Sequence, residues 1–451
     1  MERDTRGRNV VLLVLDSLRR DRVSLYDDGV DFTDSIAALG AESLVFDNAV
    51  AQAPWTLPSH ASMFTGTYPW SHGATQESPT FDAGEPTLVE RFAAAGYRTG
   101  GFTPNPWVSP FSGLAAGFDT WDNFLTPRRL PIPEFVRSSR LLEWWSRNQF
   151  ERVKKRLTDA ADSLFETWSR RKGTEVTHSE RVFDRAESFV RETDADRPFF
   201  LYLNILDAHE PYYPPESYRE RHAPGVDPHE ECQIPSRHLK GETEANFDNV
   251  AGLYDAAVDN ADDLVGSFVA FLREQQLLQN TVLVVVSDHG QALGEDGLYG
   301  HQYGVGPVLT HVPMLVRTPE ANAERIDRLV ELRELFDYLP SVAGVGPEYT
   351  PGVEIAKGGY GFPDLAVRQL PGGRDSEHYR RFRFAVDREE YLVRTETPEQ
   401  VTVTAEVRDS TAETDPSRTL LRALPTAETH DDDAVAVADP VEGRLEDLGY
   451  L

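Results

Sequence analysis

The sequence predicts an α/β fold: a large, mostly parallel central sheet flanked by helices, followed by a small C-terminal domain with antiparallel strands. Three features carry that expectation. Apolar runs ending in an acid recur over the first 345 residues, amphipathic stretches separate them, and the composition changes after about residue 346. Apolar runs of this kind suit parallel strands covered on both faces, and strands alternating with helices build an open sheet. Ligands of such sheets sit beyond the strand carboxyl ends.

The first run, residues 9–16 (NVVLLVLD), reads as a buried strand that delivers Asp16 at its carboxyl end. The same form recurs at 198–207 (PFFLYLNILD) and at 281–288 (TVLVVVSD), and further strands are expected at 98–103 and 313–318. Helical spacing marks 86–95, 179–192, 246–278 and 325–342. Residues 1–345 are therefore assigned to one large domain and 346–451 to a small second domain. In the latter, Gly and Pro cluster between Gly344 and Gly373, and 382–394 and 400–408 alternate in strand fashion. Residues 441–451 read as a short closing helix.

Composition narrows the class of partner. The 451 residues carry 45 Lys+Arg against 75 Asp+Glu, a formal net charge of −30. Only five lysines occur, Lys154, Lys155, Lys172, Lys240 and Lys357. Such an acidic, lysine-poor chain suits high salt, where screening suppresses self-repulsion, so halophilic adaptation is expected, with an ordinary acidic protein as the alternative. Nucleic acid is disfavoured as a partner because its phosphates are repelled. The single cysteine, Cys232, excludes a disulfide framework. No apolar run reaches transmembrane length and no signal-peptide pattern is present, so a cytoplasmic location is expected.

Residues 128–172 run against the rest, with twelve Lys/Arg and six Asp/Glu. Leu142, Trp145, Val153, Leu157, Ala161, Leu164 and Trp168 recur at near-helical spacing, which predicts a long amphipathic helix. A helix packed on its own acidic domain by charge complementarity is the favoured reading. The alternatives are a lid and a docking surface for an anionic partner, a peripheral contact with an anionic membrane among them.

The chemistry concentrates in Ala53-Pro-Trp-Thr56-Leu-Pro58-Ser59-His60-Ala-Ser-Met-Phe-Thr-Gly66. Pro58 suits a first helical turn, which puts Thr56 at or next to a helix N-terminus, where backbone N–H groups stabilise an anion or alkoxide. A hydroxyl needs a base or a metal to become a nucleophile. Asp16, Asp288 and His289 could supply that metal at the same sheet edge. Taken singly, Thr56 is more often a helix cap and the aspartates plain strand-end caps.

Together these segments resemble the sulfatase family of the alkaline-phosphatase superfamily. The resemblance runs through Leu-Asp16-Ser-Leu-Arg19-Arg-Asp21, the Thr56–Gly66 stretch, Asp207-Ala-His209-Glu-Pro211, Ser287-Asp288-His289-Gly290, Gly-Glu-Asp-Gly-Leu-Tyr-Gly-His301 and the terminal Leu-Gly-Tyr-Leu. It implies an alkaline-phosphatase-like sandwich and one divalent cation held by Asp16, Thr56, Asp288 and His289. Thr56 would then be ligand and nucleophile, forming a covalent intermediate with a sulfated or phosphorylated small molecule or glycan. His209 and His301 match positions that contact the oxyanion or protonate the leaving oxygen. His60 stands where an arginine usually steadies the nucleophile region, and Asn105 falls near a substrate-contact position.

The departures bear on substrate. Sulfatases carry Cys or Ser at the nucleophile position and oxidise it to formylglycine, an aldehyde that the β-methyl of Thr56 forbids. Ser17 replaces the family's second strand-end aspartate, and His301 replaces one of its sulfate-gripping lysines. Fewer carboxylates and an imidazole shift preference from Ca2+ toward Mn2+ or Zn2+. Phosphate mono- or diester hydrolysis is thus as well supported as sulfate ester hydrolysis. Two other functions fit the motifs, a phospho-alcohol transferase acting on lipid or glycan carriers and a non-catalytic anion- or glycan-binding module. A second metal would need extra ligands such as Asp207, His209 and His301, and the one-metal roles of the two histidines argue against it. His72 is expected to close the loop after the nucleophile helix and His311 to be structural.

Overall fold

A computed structural model describes residues 7–75, 78, 80, 84, 86–110, 112–124, 178–232, 238, 246–362, 373–376, 379–397, 401–407 and 418–423. The expected helices at 128–172 and 441–451 lie outside these residues. Eight strands form the main sheet: β1 (Asn9–Leu15), β2 (Leu44–Val50), β3 (Arg98–Phe102), β4 (Thr120–Asp122), β5 (Phe199–Ile205), β6 (Thr281–Val286), β9 (His311–Arg317) and β10 (Glu324–Glu331). Short β7 (Ala292–Leu293) and β8 (Tyr299–Gly300) pair outside it. The order across the main sheet is β10-β2-β9-β6-β1-β5-β3-β4. All neighbours are parallel except β9, which runs antiparallel to both β2 and β6.

The strand sequences explain this sheet. In β1, Val10, Leu12 and Val14 enter one hydrophobic core, while Val11, Leu13 and Leu15 enter the other. In β6, Val282, Val284 and Val286 face the first core, and Leu283 and Val285 the second. Helices α1 (Asp34–Gly40), α2 (Thr56–Thr65), α3 (Leu88–Ala94), α4 (His178–Arg191), α5 (Phe247–Glu274) and α6 (Leu335–Ala343) supply the covering layers. Helices α2, α3 and α6 pack on the first face, and α1, α4 and α5 on the second. No described helix is long and apolar enough to cross a membrane.

One expected helix is corrected. Residues 325–342 divide into β10 and α6, linked by a short turn at Leu332–Glu334. The spacing of Ile326, Leu329 and Val330 mimics a helix because β10 is irregular: its register against β2 shifts between Ile326 and Leu329. The irregularity lets two residues three apart both turn inward. Strands β2 and β4 were also missed, since β2 (LVFDNAV) carries polar Asp47 and Asn48 in mid-run.

The C-terminal sheet is antiparallel: β11 (Ala356–Tyr360), β12 (Arg381–Val386), β13 (Glu390–Glu396) and β14 (Val401–Val407), in that order. The single alternating run expected at 382–394 is a hairpin. The Asp387 carboxylate turns the chain by accepting from the N–H groups of Glu389 and Glu390, at 2.8 and 2.9 Å. Phe382, Phe384, Val386 and Tyr391 extend the first core onto this sheet.

Glu331, at the end of β10, ties the two sheets together. Its fully buried carboxylate accepts from the Lys357 N–H at 2.7 Å, from the Tyr68 hydroxyl at 3.0 Å and from Arg333 Nε at 2.7 Å. Removing it leaves three donors without their acceptor. Glu331→Ala is expected to cost about 3 kcal/mol, read as a lower denaturant midpoint, and Glu331→Gln less.

Candidate active site

Parallel pairing sets the site. In the β1–β6 ladder Val14 lies opposite Val286, so two residues further on Asp16 stands level with Asp288. Strands β5 and β3 continue the same edge and deliver His209 and Asn105 in the segments that follow them. Asp16, Thr56, His60, Asp288, His289 and His301 are all 0% exposed, and Asn105 and His209 are within 2% of that. The structure thus brings all eight expected residues to one edge.

Asp288 Oδ1 accepts from the N–H groups of Ser17 (3.2 Å) and His289 (3.0 Å). Its Oδ2 is buried without a hydrogen-bond donor, 3.4 Å from His289 Nε2 and 3.5 Å from His60 Nδ1. Asp16 Oδ1 lies 3.6 Å from His289 Nε2, while Oδ2 accepts from the amides of Asn105 (2.8 Å) and Asn204 (3.2 Å). Thr56 opens α2, and its Oγ1 lies 3.4 Å from both His289 Nε2 and Asn105 Nδ2. His60, one turn later, donates Nδ1–H to the Thr56 carbonyl at 2.9 Å and so clamps the first turn.

Backbone constraints hold these groups in place. Ser17 has φ 62°, a left-handed turn that aims its N–H at Asp288. The buried Tyr254 hydroxyl fastens that turn, donating to the Ser17 carbonyl and accepting from the Arg19 N–H, both at 2.8 Å. Arg19 pairs with Asp21 and Glu295 and donates to the Gln291 carbonyl, which joins the β1 loop to the segment after His289. A side chain at Gly290 would place Cβ 1.9 Å from the Val308 carbonyl oxygen, so only glycine fits behind His289.

Charge points to a cation. Burial and the Asp16 carboxylate push the Asp288 carboxyl well above its usual range. Burial likewise lowers His60 and His289 to about 4 and His301 well below 6.5. The His289 Nδ1–H is donated to the Gly290 carbonyl at 2.9 Å, leaving Nε2 as an electron-pair donor beside two carboxylates. One ligand atom each from Asp16, Asp288 and His289 lies within 4.8 Å of the others. With the unsatisfied Asp288 Oδ2, this donor set fits a divalent cation.

Beyond it stands a second group. The rings of His289 and His301 are 4.4 Å apart, and those of His301 and His209 5.2 Å. Glu210 Oε1 is 3.9 Å from His301 Nε2. Sequence reasoning missed Glu210, Asn204 and Gln291, although Asn204 is the one amide in an otherwise apolar strand. It set Asp207 near the site instead. That carboxylate turns away to Ser179 and Asn260. His72 bonds Ser62 Oγ and the Ala74 N–H, closing the loop after α2, and His311 donates to the Asp47 carbonyl.

Similarity to known proteins shows the family and the fold. The sulfatase family model matches residues 8–345, and the chain belongs to the sulfatase family; it is an ester hydrolase of that class. It is 24% identical to the arylsulfatase of Clostridium perfringens (strain 13 / Type A) over 415 residues, 82% of this chain and 83% of the relative. It is also 24% identical to the uncharacterized sulfatase YidJ of Escherichia coli (strain K12), over 77% of this chain and 70% of the relative. Among solved structures, the phosphonate monoester hydrolase of Agrobacterium radiobacter superposes with a TM-score of 0.63 at 16% identity, over 89% of each chain. A protein solved with its substrate D-glucosamine-2-N,6-O-disulfate gives the same TM-score at 15% identity, over 90% of this chain and 92% of that one.

The buried imidazoles predict a pH response. Unfolded histidine titrates near 6.5, whereas burial holds folded His60 at about 4 and His72 at about 3. Between those values the unfolded chain binds more protons, so the stability these neutral rings supply is complete above about pH 6.5 and is lost as pH falls toward 4. Thermal melts at fixed salt are expected to drop across that window. His60→Gln is expected to flatten the fall.

Proposed function

We propose that this chain hydrolyses sulfate or phosphate esters with Thr56 as the nucleophile and a covalent intermediate on its oxygen. The observation that carries the reading is the place of Thr56 Oγ1: first residue of a helix, 3.4 Å from His289 Nε2, beside the Asp16–Asp288 pair. Asp16, Thr56, Asp288 and His289 would hold one divalent cation. When bound it lowers the pKa of the threonine hydroxyl and neutralises oxygens of a tetrahedral anion. With two carboxylates and an imidazole as donors, Mn2+ or Zn2+ is preferred to Ca2+.

Each protein group then has a task. Thr56 Oγ1 attacks the central phosphorus or sulfur in line, and the bond to the leaving oxygen breaks as the new one forms. The threonine proton ends on the departing alcohol, on the side lined by His209 and His301. Water attacks the adduct, restores the hydroxyl and releases the inorganic anion. Asn105 and His60 position the centre, the first through Asp16 and Thr56 and the second through the Thr56 carbonyl. Structural likeness to a phosphonate monoester hydrolase supports phosphorus esters, and likeness to a protein that takes a disulfated glucosamine supports sulfated sugars. The β-methyl of Thr56 excludes the formylglycine route and gives phosphate esters the first claim. The excess of carboxylates recommends assays in high salt.

Thr56→Ala is expected to lower turnover of aryl phosphate, phosphodiester and sulfate probes by about a thousandfold or more, with Thr56→Ser retaining part of it. Mass spectrometry of acid-quenched protein is expected to show an added phosphoryl or sulfuryl group on Thr56, the former surviving acid. Full activity in Thr56→Ala would overturn the assignment.

A further inference from the structure

We propose that Glu210 selects the leaving group, and that the alcohol released from this site carries a positively charged amine. The inference rests on the reading of this edge as an ester-hydrolysing centre and names the substrate class it takes.

Position is the first support. Glu210 directly follows His209, on the side from which the departing oxygen leaves, and its Oε1 lies 3.9 Å from His301 Nε2. The carboxylate is oriented by Gln291, itself fully buried, whose Nε2–H is donated to Oε2 and leaves Oε1 facing the site. Gly300 keeps the flank of that oxygen clear: a Cβ there would already lie 3.5 Å from Oε1, so a larger side chain would crowd it. The Glu210 side chain is 17% exposed, whereas those of Asp16 and Asp288 are fully buried. Of the three carboxylates at this edge, Glu210 is the one a substrate meets from solvent.

Charge is the second support. No lysine or arginine pairs with Glu210 among the described residues; its side-chain partners are Gln291 and His301. Burial holds the His301 ring well below its ordinary pKa and so neutral. Burial also pushes the Glu210 carboxyl above its usual range, and the His209 imidazole offsets only part of that rise. A half-buried carboxylate in this condition gains from a cation that the ligand brings. Aromatic rings stand beside it: with burial, the Glu210 charge pushes the Tyr299 and Tyr303 hydroxyls up, which places both within its field. A carboxylate among tyrosine rings suits an ammonium group. A leaving group with further sulfate or phosphate groups would instead meet a like charge.

Paired esters that differ in the amine test the proposal: 2-aminoethyl phosphate against propyl phosphate, and glucosamine 6-phosphate against glucose 6-phosphate, with the matching sulfates. With manganese at one fixed salt concentration, the wild type is expected to prefer the amine-bearing member of a pair by about tenfold or more in kcat/KM. The pair that responds tells an amino alcohol from an amino sugar. Glu210→Gln, which keeps an acceptor for Gln291, is expected to bring that ratio close to one, and Glu210→Asp to retain part of it. A merely structural loss would slow both members of a pair alike and leave the ratio where it was. A wild-type ratio near one in both pairs, which needs no variant to fold, overturns the inference, as does a ratio that Glu210→Gln leaves unchanged. If aryl phosphate is then still turned over in a Thr56-dependent way, the hydrolase reading stands without it. No Thr56-dependent turnover of any probe strikes the reading and the inference with it.

Discussion

Two buried carboxylates share the carboxyl edge of the main sheet. Asp16 and Asp288 stand level on adjacent parallel strands, and neither has a lysine or arginine partner among the described residues. Water cannot screen them, so an uncompensated pair carries a repulsion that the fold must offset. Amides from Asn105 and Asn204 and the N–H groups of Ser17 and His289 take part of that load. The oxygen left over on Asp288, the lone pair of His289 and the Thr56 hydroxyl converge without a cationic side chain between them. Almost every unusual feature of this edge, from the left-handed Ser17 to the obligatory Gly290, serves to hold that convergence.

The sheet architecture explains how residues so far apart meet. Strands β1, β5, β6 and β3 are parallel and adjacent, so their carboxyl ends share one edge whatever the length of the crossovers. The nucleophile arrives differently, on a helix whose Leu57, Ala61, Met63 and Phe64 are sunk in the first core. Its N-terminus therefore points where packing puts it, and His60 fixes the first turn from below. Tyr254 and Arg19 complete the scaffold from the opposite face. A site assembled this way is rigid, which suits in-line attack on a tetrahedral centre.

Much of this was legible in the amino-acid sequence. Strand β1 and strand β6 announce themselves as apolar runs closed by an acid, and Pro58 marks the helix start that positions Thr56. Where pattern failed, local geometry overrode period. The irregular register of β10 gave it helical spacing, and β2 hid its strand character behind Asp47 and Asn48. Glu210 was illegible for another reason. Both it and Asp207 are acids within two residues of His209, and only the path of the chain after β5 decides which one turns toward His301. Family likeness pointed to the right edge of the sheet, but the pairing of carboxylates with imidazoles there is a matter of three-dimensional register.

The most direct measurement is anomalous diffraction from crystals grown with manganese, recorded at and away from the manganese absorption edge. The account predicts a peak bounded by Asp16, Thr56, Asp288 and His289, with Thr56 Oγ1 among its ligands. A well-ordered site in which that position is filled by water alone, or in which the metal lies away from Thr56, would contradict it.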